Sequence, residues 1–471
     1  MSLSKNKYFP LESSLIQYYE DNQKDLHRSC HPKVKTAREE GLKKFEEVRL
    51  PLSNSERWRG TNLRKQYEQN FHIGDEKPVF DKQINEIFQC TVHGFDTTTF
   101  SLLNGWYYNS GERIQTLDDG VIVGSILAAQ EKYPEIIEKY FNEIAADSEH
   151  GLCAANAAVF TDGLFVYVPD NVSSNKAIQF IKMINQDGEI MINSRNLIIL
   201  GKNSSLSFLH CDDSINQHSS FLVTNTEVFI GENASLDLYK LQNLNNESTL
   251  VNSTFVKQQR NSTINVKVLT FNGGNIRNEF NVNLIEEGAH ADISGIYLMD
   301  KNQHVDNQIN LKHLAPNCTS NEMFKGVLDE SASAVFNGYI YVARDAQKTI
   351  AFQKNANILL TSDASIDTMP FLEIYADDVK CSHGATVGQL DNDAMFYLMQ
   401  RGIPESDAKL LLMNAFLAEV TGKIAIETLK VSIEDMVKKR LRGDLSICDK
   451  CVLHCSVPDT PIEFEIDLSK I

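Results

Sequence analysis

The sequence predicts a mainly β protein built on a parallel β-helix, a solenoid, with α-helical regions before and after it. Three observations carry that expectation. Between about Cys153 and Ala376, short β-branched and aromatic alternations such as "NLIILG", "LDLYKL" and "TINVKVLTF" follow one another with almost no helical window between them. The turns that end them are related: "LGKNSSLSF" turns at Gly201 and "IGENASLDL" at Gly231, 30 positions on, and looser copies follow at "QQRNSTINV", "EEGAHADIS", "LDESASAVF" and "TSDASIDTM". A weak repeat of this length indicates a solenoid or a propeller. Propeller blades usually carry a recurrent signature such as Trp-Asp, whereas both tryptophans lie outside the repeats. A two-sheet sandwich stays open as the alternative, because strand patterns alone do not fix connectivity.

Taken in order, residues 1–150 read as mainly helical. "PKVKTAREEGLKKFEEVRL" mixes charges and apolar positions like an exposed amphipathic helix, and "GVIVGSILAAQEKYPEIIEKYF" reads as two helices broken at Pro134. Between them, "PLSNSERWRGTNLRK" reads as a loop with a buried Trp58. Residues 151–385 form the β-helix. Residues 386–471 turn helical again and end in a Cys-rich tail: Asp391 caps "NDAMFYLMQR", Gly402 to Pro404 interrupts, "ESDAKLLLMNAFLAEVTGKI" presents a broad apolar stripe, and Ser432 with Asp435 has capping-box spacing. That stripe packs on the core or receives a partner.

The chain of 471 residues holds 45 basic and 63 acidic residues, a net charge of -18. Such a surplus repels phosphate backbones and anionic lipid, so neither nucleic acid nor membrane is an expected partner. No apolar run nears the roughly 20 residues that span a bilayer, and the start has no signal-peptide core, so a cytoplasmic location is expected. Nine scattered cysteines fit reduced thiols better than a disulfide framework.

No phosphate-cradling glycine loop, dinucleotide fingerprint, nucleophile elbow or zinc-protease helix motif is present. Three constellations remain. In "EIYADDVKCSHGATVG", an extended run from Glu373 to His383 would point Cys381 and His383 to one face together with Val379 and Asp377. A thiolate and an imidazole suit iron, zinc or copper but supply at most half of a tetrahedral site; the alternatives are a buried Cys beside a hydrogen-bonded His, or a nucleophile pair. In "QHVDNQINLKH", His304 and Asp306 would share a face, with His313 just beyond, either as an oriented imidazole or as solvated or structural polar positions. In "CDKCVLHC", Cys448, Cys451, His454 and Cys455 are dense enough for a four-ligand metal site, or form a reduced strand-like tail.

The runs "FNGYIYVARDAQKTIAFQKNANILL", "PFLEIYADDVKCSHGATVGQLDNDAMFYLMQRGI" and "LLLMNAFLAEV", with "NAAVFTDGLFVYVP" and "ERWRGTNL" upstream, closely resemble the SufD proteins of the SUF iron–sulfur cluster assembly system. The resemblance covers most of the chain and implies an α-flanked, right-handed parallel β-helix. Gly384 directly after His383, the lead-in Lys380 to Ser382, and the lack of Cys between Asn357 and Pro370 separate it from the paralogous SufB scaffolds.

The resemblance further implies a non-enzymatic subunit that pairs with a SufB-like paralogue, docks a SufC-like ATPase through its C-terminal helices, and aids iron acquisition and cluster assembly at the subunit interface through His383 and Cys381. A transient iron ion or iron–sulfur cluster, and reduced flavin, are ligands expected in the complex, with no cofactor held tightly by the isolated chain. A homodimer is a further expected form of that isolated chain. The competing functions are a SufB-like scaffold that binds a cluster itself and a β-helix carbohydrate-active enzyme. The "CDKCVLHC" tail is not part of the family motif.

Overall fold

The computed structural model describes residues 8–73, 97–109, 111–148 and 150–442. Helices Pro10–Leu26 and Pro32–Val48 open it, followed by a 3-10 turn at Glu56–Trp58 and a short helix Arg64–Tyr67. Five short strands come next: β1 (His72–Ile73), β2 (Thr97–Leu103), β3 (Trp106–Tyr108), β4 (Ile114–Thr116) and β5 (Ile122–Ser125). Helices Ile126–Lys132, Pro134–Tyr140 and Gly151–Val159 lead into the long β region.

That region comprises β6 (Leu164–Val168), β7 (Ala177–Ile184), β8 (Ile190–Leu200), β9 (Ser205–Ser214), β10 (Ser220–Ile230), β11 (Ser235–Asn243), β12 (Thr249–Gln258) and β13 (Thr263–Asn272). It continues through β14 (Asn275–Leu284), β15 (His290–Met299), β16 (His304–His313), β17 (Thr319–Leu328), β18 (Ser333–Val342), β19 (Ile350–Leu359), β20 (Ser365–Ile374) and β21 (Lys380–Gly388). Helices Asn392–Gln400, Glu405–Thr421 and Glu427–Leu441 close the described chain.

From β7 onward the strands alternate between two sheets, so each coil places one strand in each and pairs it in parallel with the strand two places on. Even-numbered strands run β8 to β20 in one sheet; odd-numbered strands run β7 to β21 in the other. About seven coils result. This is the solenoid. The sandwich alternative is set aside by the parallel register, for example Leu222 opposite Ile192 and Leu250 on successive coils.

The repeated turns have a physical cause. Asn203, Asn233 and Asn261 occupy equivalent corners in the left-handed region, with φ of 55°, 58° and 52°, a conformation asparagine tolerates better than most residues. Their amides form a ladder across the coils: Asn233 Nδ2 donates to Asn203 Oδ1 at 2.9 Å, and Asn203 Nδ2 to Asn171 Oδ1 at 2.8 Å. Gly231 stacks so closely on Gly201 that an added Cβ would stand 2.8 Å from the neighbouring backbone. Spacing and residue type thus follow from coil-on-coil contact.

Between the sheets lies a continuous apolar column to which alternate residues contribute, such as Ile276, Phe280, Val282 and Leu284 of β14. The two outer faces are covered by different helices. Leu11, Leu15, Trp58 and Tyr67 pack with Met191, Phe221 and Val251 on the even sheet, whereas Met413, Leu417, Ile433 and Met436 pack with Leu241, Leu269, Phe271 and Leu298 on the odd sheet. Arg440 fixes the last helix, donating to the Phe271 carbonyl at 2.8 Å and pairing with Asp300 at 2.6 Å.

Several local expectations change. Strands β2 to β5 run through a region read as helical, and "GVIVGS" is largely β5 rather than helix, although the break at Pro134 holds. Short strands of mixed polarity are specified by the sheet they join more than by their own periodicity. Cys153 lies inside the Gly151–Val159 helix, ahead of the first long strands. Asp391 caps its helix as expected, its side chain accepting from the amides of Asp393 and Ala394. Ser432 does not start a helix, because Glu427–Leu441 already runs through it. Strand β21 extends to Gly388, just past the expected boundary.

Candidate functional site

The Cys381–His383 motif lies on β21, the last strand of the odd sheet. The run Glu373 to His383 is not one strand: β20 ends at Ile374, the chain turns through Ala376, and β21 begins at Lys380 in the opposite sheet. Val379 and Asp377 therefore belong to the corner, while Cys381 and His383 do share one face of β21. On one side β21 pairs with β19, placing Cys381 opposite Ala351 and His383 opposite Gln353. Its other side has no strand partner among the described residues.

The two side chains meet different surroundings. Cys381 is half-buried against Ile340, Val342, Ala346 and Ala351, an apolar plug at the end of the column, and the partial loss of water pushes its thiol up. His383 is exposed and makes no side-chain hydrogen bond or ion pair within the described residues. Gly384 opens onto empty space, with no atom within 4 Å of an added Cβ. Residues i and i+2 of a strand stand about 6.6 Å apart, so the pair spans a metal-ligand separation rather than a direct hydrogen bond. No group of three or more His, Cys, Asp or Glu side chains among the described residues is arranged to hold a metal ion. A metal here would take its remaining ligands from elsewhere.

Behind His383, stepping inward coil by coil, stand Gln353 and then Glu322. Gln353 Nε2 donates to Glu322 Oε2 at 2.6 Å, and burial of this carboxyl away from any cation pushes its pKa up to about 8. Neither residue is named by the sequence motif. The signal was the coil repeat itself, since a step of about 30 residues leads from His383 to Gln353.

The other predicted constellations separate. His304 and Asp306 share a face of β16, as expected, but they meet at Thr61 of the N-terminal segment rather than at an open site. Thr61 donates its hydroxyl proton to Asp306 at 2.5 Å, so His304 Nε2 donates to the Thr61 oxygen at 3.0 Å and its Nδ1 accepts from Ser333 at 2.8 Å. Arg277 closes on Asp306 and on Glu279. The arrangement clamps the "ERWRGTNL" loop to the sheet, with the Arg277 guanidinium 3.9 Å over the Trp58 ring. His313 lies apart, fully buried on Ser320 at 2.9 Å, and burial lowers its pKa to about 4. Cys448, Cys451, His454 and Cys455 lie outside the described residues.

One titratable cluster was not anticipated. His150 Nε2 is 2.8 Å from Glu279 and 3.2 Å from the Cys153 sulfur. Burial disfavours the charged ring, but Cys153 and Glu279 outweigh it and push His150 up to about 10. Their spacing of three residues across a helix start is common in sequences and pointed to nothing without Glu279 from a distant strand.

The fold and this edge define a class of protein: a helix-flanked parallel β-solenoid whose last described coil carries a half-buried thiol and an exposed imidazole on a strand with one edge free among the described residues. Comparison with known proteins gives that class its family. The profile described as "SUF system FeS cluster assembly, SufBD core domain" matches residues 182–416, and that of the "SufBD protein N-terminal region" matches residues 10–180. The chain belongs to the SufBD family of iron–sulfur cluster assembly proteins.

Among its relatives, the iron–sulfur cluster assembly protein SufD of Bacillus subtilis is 26% identical over 87% of this chain and 94% of its own. A SufBD family protein of Synechocystis is 28% identical over 83% of this chain and 88% of its own. SufD of Escherichia coli is 40% identical over 171 residues, 36% of this chain and 40% of its own. No helix among the described residues is long and apolar enough to cross a membrane.

Proposed function

We propose that this chain is the SufD-type subunit of a SUF assembly complex and acts by completing a site on a SufB-type partner. The single observation that carries the reading is the position of His383: exposed, on a strand with one edge free among the described residues. A free strand edge is a template for pairing with another chain. Phe352, Phe371, Tyr375 and Val387 add exposed apolar surface around it. A partner strand laid along β20 or β21 would cover that surface and bring its own ligands to His383, with Cys381 a step inside.

In this reading iron, or a nascent cluster, is cargo rather than a resident cofactor, and reduced flavin serves in the complex as its electron source. The C-terminal helices are the docking face for a SufC-type ATPase, supported by the exposed Phe396, Tyr397 and Met399 on helix Asn392–Gln400. ATP-driven association of two such ATPases would strain the paired solenoids and open their junction. The chain itself needs no catalytic residue and works in the cytoplasm. Gly384 and the Cys-free stretch from Asn357 to Pro370 support the SufD-type assignment over a self-sufficient SufB-type scaffold.

The test is a reconstituted complex carrying His383→Ala, with the tail cysteines substituted in every sample and cluster formation followed by ultraviolet–visible absorption. The expected result is at least tenfold slower assembly with the complex intact. Assembly at the unmodified rate would overturn the site assignment.

A further inference from the structure

A second concave site lies on the outer face of the even sheet, away from β21. Two hollows, of about 650 and 520 Å³, share a wall formed by Ile144, Asn283, Lys312 and Tyr339. Each falls in the size range of sites that take small molecules. The floor is sheet rather than loop, so its side chains stand in fixed rows. One row crosses four strands as Lys257, Asn283, Lys312 and Tyr341, in direct register.

The charge in this row is unusual for the molecule. In a chain of net charge -18, Lys257 and Lys312 are exposed and form no ion pair or hydrogen bond among the described residues. Of the nearby carboxylates, Glu143 pairs with Lys33 at 2.6 Å, Glu279 is held by His150 and Arg277, and Glu373 accepts the Tyr339 hydroxyl proton at 2.6 Å. Glu56 stands in the wall of the larger hollow only, with Trp58. The two lysines are separated by one intervening strand, hence by about 10 Å between backbones. Their flexible stems close that distance readily, and two ammonium groups converging over Asn283 match a ligand with two adjacent anionic groups better than a single small ion. Tyr339 and Tyr341 supply flat walls beside them, and Asn310 Nδ2, donating to Asn281 Oδ1 at 3.0 Å, starts an amide ladder along the floor.

We propose that this groove binds a small polyanionic molecule, a diphosphate or polycarboxylate, with its charges between Lys257 and Lys312 and its body against Tyr339 and Tyr341. The inference draws nothing from the role assigned to His383.

The test uses the full chain and two probes, inorganic pyrophosphate and citrate, titrated by calorimetry at fixed ionic strength. Trp58, in the wall of the larger hollow, reports the same event by fluorescence in a Trp106→Phe background. Saturable binding of pyrophosphate, of citrate or of both is expected, and the stronger probe identifies whether phosphate or carboxylate is the preferred group. Lys257→Gln with Lys312→Gln should weaken it at least tenfold without moving the thermal midpoint, since both side chains are exposed. Asn283→Asp, which puts a carboxylate between the two ammonium groups, should weaken it to a similar degree while both lysines remain. Absence of saturable binding by either probe at millimolar concentration would overturn the proposal, as would unchanged affinity in the double variant.

Discussion

The first and last coils of the solenoid are made of the same kind of strand and live in opposite surroundings. Every residue of β7 and β8 is buried, because strands β2, β5 and β6 extend the two sheets on one side and helices cover the outer face. No residue of β20 or β21 is fully buried, and β21 is exposed along nearly its whole length. A solenoid gains stability from each neighbour a coil acquires, so a terminal coil normally needs a cap. At the first end the chain provides that cap itself. At the last end the described residues present a thiol, an imidazole and exposed aromatic rings instead, and exposed apolar surface of this kind is common at interaction sites.

The comparison is sharpest in energy. Phe280, fully buried in the apolar column, should cost about 3–5 kcal/mol when changed to Ala, whereas Phe371→Ala in the last coil, where the ring is 53% exposed and rests on Tyr339, should cost about 1 kcal/mol in urea denaturation of the isolated chain. Equal losses would mean that the last coil is as tightly packed as the middle ones. Next in size is the effect of pH at Glu322, the buried acid one coil inside Gln353. Its folded pKa is raised, so the stability it contributes is full below about pH 4.5 and is lost as pH rises through about 8. Glu322→Gln, which keeps the bond to Gln353, should remove that decline; parallel pH profiles for the two proteins would show that the carboxyl is solvated and that the column is open deeper than β19.

Much of this was legible in the chain. The coil repeat could be read because one conformational demand, a positive φ at the corner met by Asn203, Asn233, Asn261 and Asn317 and by Gly288, recurs with the length of a coil. The shared face of Cys381 and His383 followed from the two-residue period of any strand. What period alone does not carry is where a strand begins: the corner at residues 375–379 moved Glu373 into the other sheet. Nor does it carry partners far away in sequence. His304 and Asp306 were legible as a pair, but their purpose, gripping Thr61, depends on a contact across more than 240 residues. The same limit hid Glu322 and the Glu279 partner of His150 and Cys153.

Smaller effects refine the picture of the bare end. Asp391 lies just past the end of β21 at Gly388 and caps helix Asn392–Gln400, accepting from the amides of Asp393 at 2.9 Å and Ala394 at 3.1 Å. Asp391→Ala should loosen that helix by about 1 kcal/mol, seen as faster proteolysis near residue 395 with the solenoid unaffected. His383→Ala should alter the stability of the isolated chain by no more than about 0.5 kcal/mol, because the residue is exposed and its side chain makes no hydrogen bond or ion pair among the described residues. A larger loss would give His383 a packing role and weaken the contrast between the two ends.

The central claim is that another subunit completes the last coil, and amide hydrogen exchange across Ser365–Ile374 and Lys380–Gly388, with and without a SufB-type paralogue, tests it most directly. Alone, the outward-facing amides should exchange far faster than those of β7 and β8, and the paralogue should slow them at least tenfold. If a bound paralogue leaves their exchange unchanged, the open edge is not where the two chains meet.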